Sequence, residues 1–342
     1  MDIVTLLREA VSHKASDLHL CSAAPPVLRI DGRLRGLNAP PLTRDELRDM
    51  IYSLLNDYQR EKFESEWELD CSIDVRKVGR FRVNVHRQKG NIEAAFRVVQ
   101  EHILSLRQLG LPDTIADMCR KESGLILVTG PTGSGKTTTM ASMIDTINAV
   151  RPCMIVTIED PIEFIHRHKR AIIKQREVLT DTKSFTAALR HALRQDPDVI
   201  SIGEMRDLET IRTALTAAET GHLVIATLHT PDVTQTIDRI IDVFPPYQQD
   251  QVRLQLAQCL TAILCQQLLP IPGDKGRVLA IEILIATSAV RQIIRSKKLE
   301  QIMTVLQTST EGGMVSMDKS LKNLYQQGLI SYDDAINKCK HP

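Results

Sequence analysis

Apolar residues recur at helical spacing over residues 3–11, where Ile3, Leu7 and Val11 share a stripe flanked by Val4, Leu6 and Ala10. Residues 16–20 alternate like a strand, and residues 27–34 predict a hairpin turning at Asp31-Gly32. Thr43, with Glu46 three residues on, is a capping box opening a helix with Leu47, Met50, Ile51 and Leu54 on its buried face. Three more runs alternate: Leu69, Cys71, Ile73 and Val75; Phe81, Val83 and Val85; then Ile92, Ala94, Phe96 and Val98. Strands interleaved with helices predict a small α+β domain over residues 1–99, with a connector at 100–112.

From residue 113 the pattern changes. Short apolar runs predict strands at 125–129, 154–159, 172–178, 199–203 and 223–228, with helices between most of them. Capped helices are expected at 181–194, 207–220 and 233–243, and another helix at 247–267. A hairpin around 273–277, a strand at 278–285 and short helices at 288–307, 317–327 and 332–339 complete a domain over 113–342. This alternation is that of α/β architecture with a parallel-sheet core.

Composition adds little to this picture. The chain is 43% hydrophobic and 25% charged with a formal net charge of +1, which gives no global reason to expect a nucleic-acid partner. Seven cysteines without a C-x-x-C pair point to reduced thiols and no zinc site. The N-terminus lacks a signal-peptide pattern, and no apolar run approaches the roughly 20 residues of a membrane span. The expectation is therefore a cytoplasmic protein that reaches a membrane only through a partner.

Candidate chemistry begins at residues 125–140. An apolar strand runs into Gly130-Pro131-Thr132-Gly133-Ser134-Gly135-Lys136-Thr137-Thr138, and a helical pattern starts at Lys136. Strand, glycine loop and helix are the context a phosphate-binding loop requires. The glycines let backbone N–H groups converge on phosphate oxygens, and the helix N-terminus adds partial positive charge. Lys136 is then placed for the β- and γ-phosphates of ATP, Thr137 for Mg²⁺, and Thr138 for the α-phosphate.

Two strands deliver carboxylates. Residues 155–158 lead to Glu159, Asp160 and Glu163; residues 199–203 lead to Glu204. We assign Glu204 to the Mg²⁺ shell and Glu163 to orienting or deprotonating the attacking water. The alternative makes Glu204 the base, with Glu159 or Asp160 serving the metal. His229 ends the strand at 223–228 and could sense the γ-phosphate, whereas His222, beside Gly221, fits a helix cap equally well. On the strand at 80–86, Arg80, Arg82, Asn84 and His86 share the face opposite Phe81, Val83 and Val85; it is either a solvated face or a phosphate clamp.

Gly-Pro-Thr-Gly-Ser-Gly-Lys-Thr-Thr-Thr at 130–139, Thr-Ile-Glu-Asp-Pro-Ile-Glu at 157–163, Ile-Gly-Glu-Met-Arg-Asp at 202–207 and Thr-Leu-His-Thr at 227–230 resemble the Walker A, Asp box, Walker B and His box of the secretion and type IV pilus ATPases. Ala-Ser-Asp-Leu-His-Leu at 15–20 and Gly-Arg-Phe-Arg-Val-Asn at 79–84 resemble the PAS-like front domain of the PilT-type retraction ATPases. The resemblance implies a RecA-like P-loop ATPase domain behind a PAS-like domain, and a homohexamer in which Arg80 and Arg82 reach ATP on a neighbouring subunit. It also implies an inner-membrane platform protein as partner, placing the ring at the membrane periphery. Extension and secretion members usually carry an extra N-terminal domain and a four-cysteine zinc site. Neither is seen in this chain, which favours retraction. Residues 289–296, Ala-Val-Arg-Gln-Ile-Ile-Arg-Ser, depart at Gln292 and Ser296 from the Ala-Ile-Arg-Asn-Leu-Ile-Arg-Glu of PilT proteins, which leaves an accessory paralogue as an alternative, beside an assembly ATPase of the same family. A factor that binds ATP but scarcely hydrolyses it disagrees with intact Lys136, Glu163 and Glu204. A RecA-like motor on nucleic acid disagrees with the near-neutral charge and the lack of an aromatic-basic stacking segment.

Overall fold

A computed structural model describes residues 2–30, 32–99, 102–273, 276–308 and 311–340. The chain divides into two compact units: Met1–Glu101 together with Pro161–Ile165, and His102–Asp160 together with His166–Pro342.

In the first unit, helix α1 (Ile3–Ser12) starts on the Asp2 carboxylate, which accepts the Thr5 N–H at 2.8 Å. Strands β1 (Asp17–Leu20), β2 (Val27–Ile30) and β3 (Arg33–Gly36) follow. The β2–β3 pairing is antiparallel as the pattern requires; Asp31 of its expected turn lies outside the described residues. Helix α2 (Arg44–Leu54) opens on the Thr43–Glu46 capping box and buries Leu47 and Ile51, with Met50 and Leu54 packed at the rim. Helix α3 (Asp57–Glu66) was not expected, because only Phe63 of its polar sequence is buried. Its one signal is a second capping box, Asn56 with Gln59. Strands β4 (Glu68–Val75), β5 (Gly79–Gln88) and β6 (Asn91–Val98) complete a six-stranded antiparallel sheet of order β3-β2-β1-β6-β5-β4. Phe81, Val83 and Val85 point into the core with Phe96, Leu18 and Ile51.

The second unit begins with α4 (Asp113–Cys119), followed by β7 (Gly124–Thr129), α5 (Lys136–Val150), β8 (Met154–Glu159) and β9 (Ile172–Glu177). Then come α6 (Phe185–Ala192), β10 (Val199–Ile202), α7 (Leu208–Glu219), β11 (Leu223–Leu228), α8 (Val233–Asp242) and α9 (Pro246–Cys259). Strands β12 (Leu260–Pro270) and β13 (Arg277–Ile285), and helices α10 (Ser288–Arg295), α11 (Gln301–Thr308), α12 (Met317–Gln326) and α13 (Tyr332–Lys338), finish the chain. The seven-stranded sheet runs β13-β12-β7-β11-β10-β8-β9, parallel throughout except for the antiparallel edge strand β13. Every residue of β7, β10 and β11 is buried, as continuous apolar runs in a helix-covered parallel sheet must be.

Three expectations are corrected. The helix expected over 247–267 ends at Cys259; Leu260 onward is strand, paired in parallel to β7 and antiparallel to β13. A short buried apolar run has no periodicity of its own to distinguish strand from helix, and here sheet pairing decides. The helix expected from 181 starts at Phe185 under a Ser184 cap, because the Asp181 carboxylate is spent on the Glu177 N–H, 2.8 Å away, in a preceding turn. Residues 288–307 form two helices, α10 and α11, with Lys297 in the left-handed region between them at φ 61°. Of the hairpin expected at 273–277, residues 274 and 275 lie outside the described residues.

Candidate functional site

Within the second unit the phosphate loop joins β7, an interior strand flanked by β12 and β11, to α5. Gly135 caps α5 with φ 89°, leaving the first-turn N–H groups without a side-chain cap. At Gly130, φ 137°, a Cβ would collide with the Gln266 carbonyl and the Ser134 hydroxyl, so only glycine lets the loop close over β12. Pro131, Thr132 and Gly133 are exposed at the loop's rim, and Thr137 and Thr138 are half-buried on the first turn. Ser134 is buried, and its Oγ has no hydrogen-bond partner among the described residues. A second layer holds the loop from behind, with the buried Gln266 amide donating to Thr139 Oγ1 at 2.7 Å.

The Lys136 ammonium is buried and donates to the Gly130 and Pro131 carbonyls at 2.8 and 3.0 Å. It lies 3.5 Å from His229 Nδ1, and His229 Nε2 lies 3.2 Å from Glu204 Oε1. The other Glu204 oxygen takes Arg206 at 2.7 Å. Lys136, His229, Glu204 and Arg206 thus form one continuous polar chain across the ends of β7, β10 and β11. Burial pushes the Glu204 carboxyl pKa up, but the Arg206 hydrogen bond and the charges of His229 and Arg206 outweigh it, and the net shift is down. Glu204 is therefore an anion at neutral pH, as a metal-shell carboxylate or a base must be.

The strand ends fix Glu204 in place. Gly203 donates its N–H to the Ile158 carbonyl at 2.8 Å, and a Cβ there would sit 3.1 Å from that oxygen. Thr227 donates its hydroxyl to the Gly203 carbonyl, and Met205 N–H reaches the Thr227 carbonyl at 3.0 Å. Glu159, at the end of β8, accepts from Thr157 Oγ1 at 2.6 Å and Gln175 Nε2 at 3.0 Å. Neither Arg206 nor Gln175 was singled out from sequence. Arg206 could have been, as a base two residues beyond the acidic end of a buried strand. Gln175 could not, because only the β8–β9 register brings it to Glu159.

The sequence candidates divide between the units. Lys136, the loop residues, Glu204 and His229 are brought together in the second. Glu163 is exposed and lies in Pro161–Ile165, the segment that groups with the first. Arg80 and Arg82 are half-buried on β5, with Asp74 and Ser72 opposite them on β4, and Arg97 of β6 opposite Arg82. His222 takes its cap role: its Nδ1 is 3.0 Å from the Ala217 carbonyl at the end of α7.

The described residues contain no cluster of three or more His, Cys, Asp or Glu that could hold a metal. Mg²⁺ does not need one, since it binds through one or two protein groups plus substrate phosphates and water. The half-buried Thr137 hydroxyl, the ionised Glu204 and the unpartnered Ser134 Oγ fit that requirement. No helix among the described residues is long and apolar enough to cross a membrane.

The family model for type II/IV secretion system proteins matches residues 1–336. The chain is 47% identical to the type IV pilus retraction ATPase PilT of Pseudomonas aeruginosa, over 100% of this chain and 99% of that protein. It is 45% identical to a twitching motility protein of Neisseria gonorrhoeae, over 99% of this chain and 91% of that one. Among solved structures, a crystal structure of the pilus retraction motor PilT with bound ADP superposes with a TM-score of 0.94 at 50% identity, covering 100% of this chain and 98% of that one.

Proposed function

The chain belongs to the type II/IV secretion system protein family, and on that premise we propose that it is an ATPase that powers type IV pilus retraction, and with it twitching motility. Its moving parts are two domains, residues 1–99 and 113–342, joined by 100–112. The observation that carries this is an end-to-end match to a retraction ATPase in a chain whose phosphate-loop Lys136 is linked through His229 to Glu204.

ATP binds with its β- and γ-phosphates over the uncapped start of α5, where Gly130–Thr138 supply N–H donors and Lys136 turns from the loop carbonyls to the phosphate oxygens. Thr137 and, partly through water, Glu204 would hold Mg²⁺, which would neutralise phosphate charge. Glu163 orients and deprotonates the attacking water. His229, between Lys136 and Glu204, registers whether the γ-phosphate is present. Six copies form a ring in which Arg80 and Arg82 complete the neighbour's pocket. The ring sits in the cytoplasm against the inner membrane, held by the pilus platform protein.

An accessory role within the same family is favoured only by Gln292 and Ser296 in α10 and its C-cap. Deleting the gene and scoring surface pili and twitching decides among these. Surplus pili without movement are expected; loss of pili would point to assembly, and unchanged retraction to an accessory role. A phosphate-release assay on purified protein tests the ATPase separately.

A further inference from the structure

Glu282, on the edge strand β13, is a charged residue only 1% exposed and far along the chain from every phosphate-loop group. Its Oε1 accepts the N–H of Val233, the first residue of α8, at 3.1 Å. Its Oε2 accepts the N–H of Met317, the first residue of α12, at 3.3 Å. One buried carboxylate thus joins the positive ends of two helices. Beside it Asp232, the N-cap of α8, pairs with Lys340 Nζ at 3.1 Å, and Lys340 N–H donates to Asp318 of α12 at 2.8 Å. A second link therefore runs from the C-terminal segment to the same helix start.

The start of α8 is also the end of the His229 loop. Three residues separate His229 from Asp232's successor, Val233, and the Thr230 hydroxyl is held 2.7 Å from that of Thr236 in α8's first turn. Any change in His229 as it contacts Lys136 and Glu204 therefore pulls on a helix that Glu282 fastens to α12. Ordinary core packing would place an apolar residue at this position of β13, whose neighbours Ile281 and Ile283 are buried.

We propose that Glu282 is a positioning residue for His229, tying the start of α8 to α12 and Lys340 so that the nucleotide state is transmitted to the C-terminal helices. This rests on the ATPase function proposed above. Glu282→Gln keeps the shape and one acceptor but presents an NH₂ to the other helix N–H, so it cuts one of the two ties.

In steady-state assays Glu282→Gln is expected to lower kcat about fivefold or more while KM for ATP stays within about twofold. In His229→Ala chains the same change should alter kcat by less than about twofold, because the route it acts through is gone. Hydrogen exchange with ADP supplies a readout independent of turnover. In the unaltered chain ADP should slow exchange at residues 130–137 and change it at 317–320, whereas in Glu282→Gln the loop should still respond and 317–320 should not. Equal responses at 317–320 in both chains, no response there in the unaltered chain, or an equal kcat loss with and without His229 would overturn the proposal. If ADP fails to protect 130–137 at all, the ATPase function itself falls, and this inference with it. Should Glu282→Gln not fold, Lys340→Met cuts the second link from the surface and is run through the same measurements, with the same outcomes deciding.

Discussion

Lys136 holds its ammonium against its own loop's carbonyls, so its charge is satisfied before any phosphate arrives. Lys136→Ala should weaken ATP binding at least tenfold, read by equilibrium titration. On the proposed roles, Glu163→Gln should retain ATP affinity and lose turnover by about a hundredfold or more, and Glu204→Gln should also raise the Mg²⁺ concentration needed for turnover. Near-normal turnover in Glu163→Gln would hand the base to Glu204. His166 offers a different test. Burial pushes its pKa down from 6.5 to about 4, with Nδ1 unpartnered among the described residues. The unfolded chain then takes up the proton first, so stability held above pH 6.5 is lost as pH falls toward about 4. Melting curves over that window should show the loss, on the order of 2–3 kcal/mol, shrinking in His166→Gln. Sequence gave no hint of this histidine's burial, since it lies on a stretch with neither helical nor strand periodicity.

At the scale of elements, α10 shows how a helix can be legible in outline and opaque in purpose. Its Arg291 was visible only as part of the stretch that resembles the PilT type. In the fold, its guanidinium donates to the carbonyls of Ala286 at 3.1 Å, Ala257 at 2.5 Å and Leu260 at 2.8 Å, and to that of Gln258. It thus closes the C-terminal end of α9 where the chain turns into β12. Arg291→Ala should cost about 2–3 kcal/mol by denaturant titration, and Arg291→Lys should recover less than half, since an ammonium cannot reproduce the planar fork. That junction is also where sequence failed most clearly. The phosphate loop, the strands before it and the capped helices α2, α7 and α8 announce themselves through local chemistry: glycines, caps and unbroken apolar runs. The α9–β12 boundary does not, because residues 260–269 become strand only by pairing with β7 and β13. Helix α3 hid for the opposite reason, its sequence being almost wholly polar around Phe63.

For the whole molecule the near-neutral net charge gives copies no long-range repulsion to overcome, and the proposed ring depends on shorter contacts. Arg80 and Arg82 sit on the polar face of β5, the strand next to the sheet's edge strand β4, with Asp74 and Ser72 opposite them. If these arginines serve a neighbour's nucleotide, a defect in them and a defect in Glu204 belong to different subunits and complement. Arg82→Ala and Glu204→Gln proteins should each turn over ATP at least tenfold more slowly than the unaltered chain. Mixed in equal amounts with ATP present, they should regain a measurable fraction of activity. In a mixed ring, some junctions pair an intact Arg82 from one subunit with an intact Glu204 from the next. Turnover per subunit should also rise with protein concentration as rings assemble, and sedimentation should follow the same curve. A mixture no more active than its components, from chains that nevertheless co-assemble, would mean that Arg82 acts within its own subunit and that the ring, if it forms, does not share its catalytic sites.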